Sequence, residues 1–240
     1  SIALGDLDKD GYPDLVQAND LANKVRLFNN SNGSFTNTGS ILLGVQNTYS
    51  VALGDVNKDG YLDIVCGNTY SGDPASTDDN HIWINNADNP WTGFSTPTQA
   101  GQMLGGNDTR AVVLGDIDND GDIDLACGNN ATGVKIYTNG GSGNFSDSGQ
   151  TLGGGDTRSL ALGDIDGDGD LDLVVGKDNQ NTNEIWNNNG SGSFTNSNQD
   201  LGTYSTQTVA LGDLDGDGDL DLVCGLDVVP YANRIYLNDD

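Results

Sequence analysis

The chain has 240 residues, 36 acidic against nine basic, for a formal net charge of −27. A field of that sign repels phosphate backbones and anionic headgroups, so nucleic acid and membrane surfaces are excluded as partners and neutral, cationic or metal-bridged ones remain. No apolar run approaches the roughly 20 residues of a membrane-spanning helix, so no membrane insertion is expected, and 35 glycines with five prolines suit a fold of many tight turns.

In chain order, the first predicted unit (1–49) opens on a strand at Ser1, turns through an acidic loop from Asp6 to Asp14, and continues with runs at Arg26 to Asn30 and Gly33 to Phe35. The second unit (50–109) repeats this order with Ser50 to Gly54, a loop from Asp55 to Asp63, Asp63 to Gly67, His81 to Asn85, and a run beginning Gly93-Phe94. In the third unit (110–157) the loop is Asp116 to Asp124, followed by Lys135 to Asn139 and Gly143 to Phe145. The fourth (158–206) has Asp164 to Asp172, Glu184 to Asn188 and Gly192 to Phe194; the fifth (207–240) has Asp213 to Asp221 and Arg234 to Asn238, with no Gly-x-Phe run after it. Loop starts at 6, 55, 116, 164 and 213 give periods of 49, 61, 48 and 49 residues. Periods of this size, with four short strands per unit and no sustained helical periodicity, predict an all-β fold: a β-propeller of five four-stranded blades, the last lacking its outer strand, or part of a larger propeller.

Each loop reads Asp-x-Asp/Asn-x-Asp-Gly-x-x-Asp. Carboxylates at alternate positions repel one another unless a hard cation lies among them, and dense oxygen ligands suit calcium. By analogy with other calcium loops, positions 1, 3, 5 and 9 supply side chains and position 7 its carbonyl. The predicted ligands are Asp6, Asp8, Asp10, Tyr12 and Asp14; Asp55, Asn57, Asp59, Tyr61 and Asp63; Asp116, Asp118, Asp120, Asp122 and Asp124; Asp164, Asp166, Asp168, Asp170 and Asp172; and Asp213, Asp215, Asp217, Asp219 and Asp221. Glycine at position 6 allows a sharp turn with positive φ. An EF-hand would need Glu at position 12, where Gln17, Cys66, Cys127, Val175 and Cys224 stand, and transition metals would need more than the single His81. Five calcium ions would move the formal charge from −27 to −17. Weak extracellular sites would fill outside the cell and stand empty at cytosolic calcium levels, so an extracellular or surface location is expected.

Cys66, Cys127 and Cys224 recur at one place in three units, too far apart for disulfides, and are expected as buried free thiols. The once-per-unit aromatics Phe28, Trp83, Tyr137, Trp186 and Tyr236 are assigned to the core rather than to sugar stacking.

The Ala-Leu-Gly-Asp-x-Asp-x-Asp-Gly-x-x-Asp-Leu-x-x-Gly pattern resembles FG-GAP/VCBS repeats, the blades of integrin-α-like propellers, over essentially the whole chain. That resemblance implies the propeller fold and calcium in the hairpin between the first two strands of each blade. It also implies roles such as adhesion, carbohydrate binding or surface scaffolding.

Function is sought where the units differ. The second unit has about 12 extra residues, divided between Tyr70 to Asn80 and Ala87 to Trp91. Insertions on a regular scaffold tend to carry specificity, and Tyr70, His81 and Trp91 are candidates for a ligand platform. No nucleophile-elbow motif, phosphate loop or second histidine points to an enzyme. The expected function is a non-catalytic module binding a carbohydrate or protein surface ligand. The alternatives are a fibre or surface-layer subunit assembled through the open edge at Ile235, Tyr236 and Leu237, or an accessory domain of a polysaccharide-degrading enzyme.

Overall fold

The computed structural model describes residues 1–19, 25–38, 47–69, 79–85, 94–95, 104–105, 108–179, 181–227 and 232–239. They form five small antiparallel sheets, the blades of a β-propeller, and no helix occurs among them. The first sheet orders β1 (Ile2–Gly5), β2 (Asp14–Gln17), β3 (Arg26–Ser31) and β4 (Ser34–Asn37) side by side in sequence order. β5 (Asn47–Gly54), β6 (Asp63–Thr69), β7 (His81–Asn85) and β8 (Phe94–Ser95) repeat it. So do β9 (Thr109–Gly115), β10 (Asp124–Asn129), β11 (Gly133–Asn139) and β12 (Phe145–Leu152), then β13 (Thr157–Gly163), β14 (Asp172–Lys177), β15 (Glu184–Asn188) and β16 (Phe194–Asn196). The last sheet has three strands, β17 (Thr206–Gly212), β18 (Asp221–Leu226) and β19 (Arg234–Tyr236). β19 stops two residues short of the run expected to reach Asn238.

Register follows the repeat. Glycine closing the first strand pairs with the Asp that opens the second (Gly5 with Asp14, Gly54 with Asp63, Gly163 with Asp172, Gly212 with Asp221). This pairing places the acidic loop as the hairpin connection. The first strands of three blades begin earlier than expected and carry a bulge, between Thr48 and Ser50, Thr157 and Ser159, and Thr206 and Thr208. The three threonines that open these bulges are buried.

The chain divides into two compact units, residues 1–114 with 139–145, and 115–138 with 146–240. In the first, Leu7, Val16 and Leu27 of one blade pack on Val51, Ile64, Cys66 and Trp83 of the next. The second unit repeats the arrangement, with Ile165, Val174 and Ile185 against Val209, Leu222 and Cys224. Second strands are therefore buried on both faces: β6, β10 and β14 are buried at every residue, which explains their unbroken apolar runs where half-buried strands would alternate. Cys66, Cys127 and Cys224 are free and buried, and burial pushes the Cys66 thiol up to about 12. Of the recurring aromatics only Trp83 and Tyr137 are fully buried. Phe28, Trp186 and Tyr236 are half-buried, and the aliphatic residue before each aromatic is the deeper one in the first four blades.

Candidate metal centres

Glycine at position 6 has φ of 93°, 86°, 85°, 92° and 106° in the five loops. A Cβ on Gly11, Gly169 or Gly218 would meet nothing within 4 Å, so the backbone angle and not crowding demands glycine. A second left-handed residue stands at position 4: Lys9 (59°), Lys58 (58°), Asn119 (58°), Gly167 (72°) and Gly216 (87°). Its only trace in the sequence is that one copy uses Asn and two use Gly.

The carboxylates stitch each loop to itself. Position 1 accepts the position-6 N–H in four copies, from Gly11 to Asp6 at 2.9 Å, Gly60 to Asp55 at 2.7 Å, Gly121 to Asp116 at 3.0 Å and Gly169 to Asp164 at 3.0 Å. In the fifth loop Asp213 accepts from Gly216 instead. Position 5 accepts the N–H of position 7, which fixes Tyr12, Tyr61, Asp122, Asp170 and Asp219 in place on Asp10, Asp59, Asp120, Asp168 and Asp217.

Position 9 differs. Asp14, Asp63, Asp124, Asp172 and Asp221 are fully buried. One oxygen of each accepts the position-2 N–H, from Leu7, Val56, Ile117, Ile165 and Leu214 at 2.7–3.0 Å. The other accepts the N–H of the asparagine ending the third-strand run, from Asn30, Asn85, Asn188 and Asn238, each at 2.8 Å. This aspartate is thus a clamp between loop and sheet before it is a ligand. The same asparagine sends its side-chain amide to the preceding blade, Asn85 to Leu7 O, Asn139 to Val56 O, Asn188 to Ile117 O and Asn238 to Ile165 O at 2.7–2.9 Å. One residue therefore joins its own loop to its neighbour's. Replacing Asn188 with Ala leaves a buried carbonyl unpaired and is expected to cost ~1–3 kcal/mol in denaturant unfolding, whereas the exposed Gln199→Ala is expected to be neutral.

Carboxylate oxygens converge within 4.8 Å in Asp6/Asp8/Asp10, Asp116/Asp118/Asp124, Asp164/Asp166/Asp172 and Asp213/Asp215/Asp221. The second loop, with Asn57 at position 3, shows no such trio among the described residues. Asn29 and Asn187, on the third strands, hold the position-3 carboxylates of Asp8 and Asp166 from outside at 2.8 and 2.6 Å. Inside the ring, Oδ1 of Asp116 and of Asp164 is buried with no hydrogen-bond partner. A buried carboxylate oxygen without a donor is costly, and a cation bound among these oxygens would remove that cost. The residues present fit a hard divalent ion on this ground and on their all-oxygen chemistry.

Electrostatics agree. Burial pushes Asp63 up to about 7, against the hydrogen bonds from Asn85 and Val56 and with added repulsion from Asp59 and Asp55. Asp14 and Asp172 are raised chiefly by burial, and Asp118 by burial and the neighbouring Asp120.

Among the candidates for a ligand platform, Tyr70 and Trp91 lie outside the described residues. His81 opens β7, half-buried, with its ring edge-on to Trp83 at 5.8 Å and 86°, and burial lowers its pKa.

Comparison with known proteins bears on both fold and loops. The family model for the FG-GAP-like repeat matches residues 6–66, 116–175 and 164–224, well over half of the chain, and the matched stretches contain all five acidic loops. A search of the curated proteins gives no match. Solved structures that the chain resembles include the V. cholerae biofilm matrix protein Bap1, at 19% identity and TM-score 0.49 over 93% of this chain and 34% of that one. Others are the exotype rhamnogalacturonan lyase YesX, at 16% identity and TM-score 0.53 over 98% and 46%, and a putative exo-β-1,3-galactanase from Bifidobacterium bifidum s17, at 12% identity and TM-score 0.53 over 92% and 80%. The chain thus spans less than half the length of the first two, and at these identities the likeness is one of fold.

Proposed function

The chain belongs to the FG-GAP-like repeat family, and on that premise we propose that it is an extracellular, calcium-binding β-propeller serving as a non-catalytic binding module for a carbohydrate or protein surface ligand. The observation that carries the calcium reading is the convergence of carboxylates around buried, unpartnered oxygens of Asp116 and Asp164. Calcium would be held by the side chains at positions 1, 3, 5 and 9 with the carbonyl at position 7, and would supply the positive charge that these loops lack. Because position 9 also holds the loop to the sheet, the ion would act as a fastener of each blade, leaving ligand recognition to the parts that do not repeat. The insertion bearing Tyr70 and Trp91, with His81 next to it in sequence, is the proposed recognition surface. A glycan array probed with the calcium-loaded protein and its Trp91→Ala variant tests this: binding lost in the variant is expected, and silence across the array with the unmodified protein sinks the carbohydrate reading.

Protonation offers a test of the sites themselves. Asp63 in the fold has its pKa raised to about 7, well above the ordinary carboxylate value, so the metal-free fold binds more protons than the unfolded chain. Its contribution to stability is full at acidic pH and is lost as pH rises toward 7. Calcium requires ionised ligands, so its stabilising effect grows over the same window. The melting temperature in chelator is expected to fall between pH 5 and 7.5 while the gap to the calcium-loaded protein widens; a metal-free melting temperature that rises across that window contradicts the assignment.

A further inference from the structure

We propose that the fourth residue of an acidic loop couples one metal site to the next: Asn119 ties the third loop to the fourth and Lys9 ties the first to the second, so that each pair takes up calcium cooperatively. The proposal rests on the calcium reading above and adds how the sites influence one another.

Position 4 is left-handed in every loop, and a side chain there strains the backbone. Gly167 and Gly216 show that the turn closes without one, and a Cβ on either would meet nothing within 4 Å. Lys9 and Asn119 nevertheless carry side chains, at φ of 59° and 58°. Both reach out of their own loop. Asn119 Nδ2 donates to Oδ1 of Asp170 at 2.6 Å and lies 3.5 Å from the carbonyl of Gly190. Lys9 Nζ stands 3.7 Å from the ring centre of Tyr61 and 3.0 Å from where a Cβ on Gly60 would be. Asp170 and Tyr61 occupy the same place, position 7 of the following loop. One contact is a hydrogen bond to a carboxylate and the other a cation over an aromatic face, so the same link is made twice with different chemistry.

Position 7 is the residue whose carbonyl would face the metal, and its N–H is already held by position 5. Gripping its side chain as well orders that carbonyl further. A filled third loop holds Asn119 still, and Asn119 then holds Asp170 for the fourth site. Order handed on in this way lowers the cost of the second binding event, and linkage makes the effect equal in both directions. Toward the fifth loop the fourth offers only Gly167, so this link is missing there. The asparagine clamp is present at both junctions, Asn188 to Ile117 O and Asn238 to Ile165 O, which separates its contribution from that of position 4.

Calcium titrations of the isotopically labelled chain, followed by NMR at the position-6 glycine amides, read each loop by itself. Asp120→Ala disables the third site and is expected to move the calcium midpoint of Gly169 upward about fivefold, the low end of site-to-site coupling, because the Asn119 contact is exposed. In an Asn119→Gly background, which keeps the left-handed turn, Asp120→Ala is expected to leave Gly169 unmoved. Asp168→Ala is expected to move Gly121 by the same factor as the reciprocal effect, and to leave Gly218 in place. Asp10→Ala, with and without Lys9→Gly, reads the first link at Gly60 in the same way. A Gly169 midpoint indifferent to Asp120→Ala overturns the proposal, as does a shift that survives Asn119→Gly. A shift at Gly218 as large as that at Gly121 overturns it too, since the clamp would then carry the coupling. Glycine resonances that calcium never moves overturn the calcium reading itself and the coupling with it.

Discussion

A chelator is expected to lower the melting temperature by ~20 °C or more, and added calcium, but not magnesium, to restore it. The magnitude follows from mass action: at ~2 mM calcium and a dissociation constant of ~0.1 mM, each site stabilises the native state by ~1.8 kcal/mol, and five by ~9 kcal/mol. A change of that size in a domain of this length corresponds to the stated shift at ~2–4 °C per kcal/mol. Magnesium is a poor substitute because it prefers a compact octahedral shell and retains its waters, whereas these loops offer several carboxylates each, crowded at alternate positions. Differential scanning calorimetry in matched buffers measures it, and a melting temperature indifferent to chelation removes the calcium reading altogether.

The second large effect separates the two jobs of the loop carboxylates. Asp172→Ala strips the acceptors from two buried backbone N–H groups, those of Ile165 and Asn188. Each orphaned donor costs ~1–3 kcal/mol, so a loss of ~3–5 kcal/mol is expected in chelator, with up to ~2 kcal/mol more in calcium because the site is lost as well. Asp168, at position 5 of the same loop, is exposed and, among the described residues, accepts only the N–H of Asp170 two residues on. Asp168→Ala is therefore expected to cost ~2 kcal/mol or less in calcium, the value of one lost site, and close to nothing in chelator. Urea unfolding in both conditions reads the four values. Equal losses for the two variants in chelator would show that position 9 has no structural role beyond the metal.

That division could not be read from the letters, because Asp172 and Asp168 are both aspartates in the same motif. Strand order and loop placement were legible because Gly and Asp recur at fixed spacing and the intervening runs are apolar, as at Asp63 to Gly67. The third-strand asparagine was visible as a recurrence, Asn85, Asn139, Asn188 and Asn238, but its partner lies in a different blade 71 to 83 residues away, a distance no local pattern encodes. Backbone angles at Lys9 and Lys58 left no mark at all, since lysine rarely signals a left-handed turn. The aromatics were overrated as core residues: size drew attention to Phe28 and Trp186, while Leu27 and Ile185 beside them lie deeper.

Counting bound calcium is the most direct test of the claim that the acidic loops are metal centres. Equilibrium dialysis of the intact chain against radioactive calcium is predicted to saturate near five ions per chain, one for each loop, and to lose one ion in Asp168→Ala. No saturable binding in the millimolar range, or a stoichiometry unchanged by that substitution, would contradict the account.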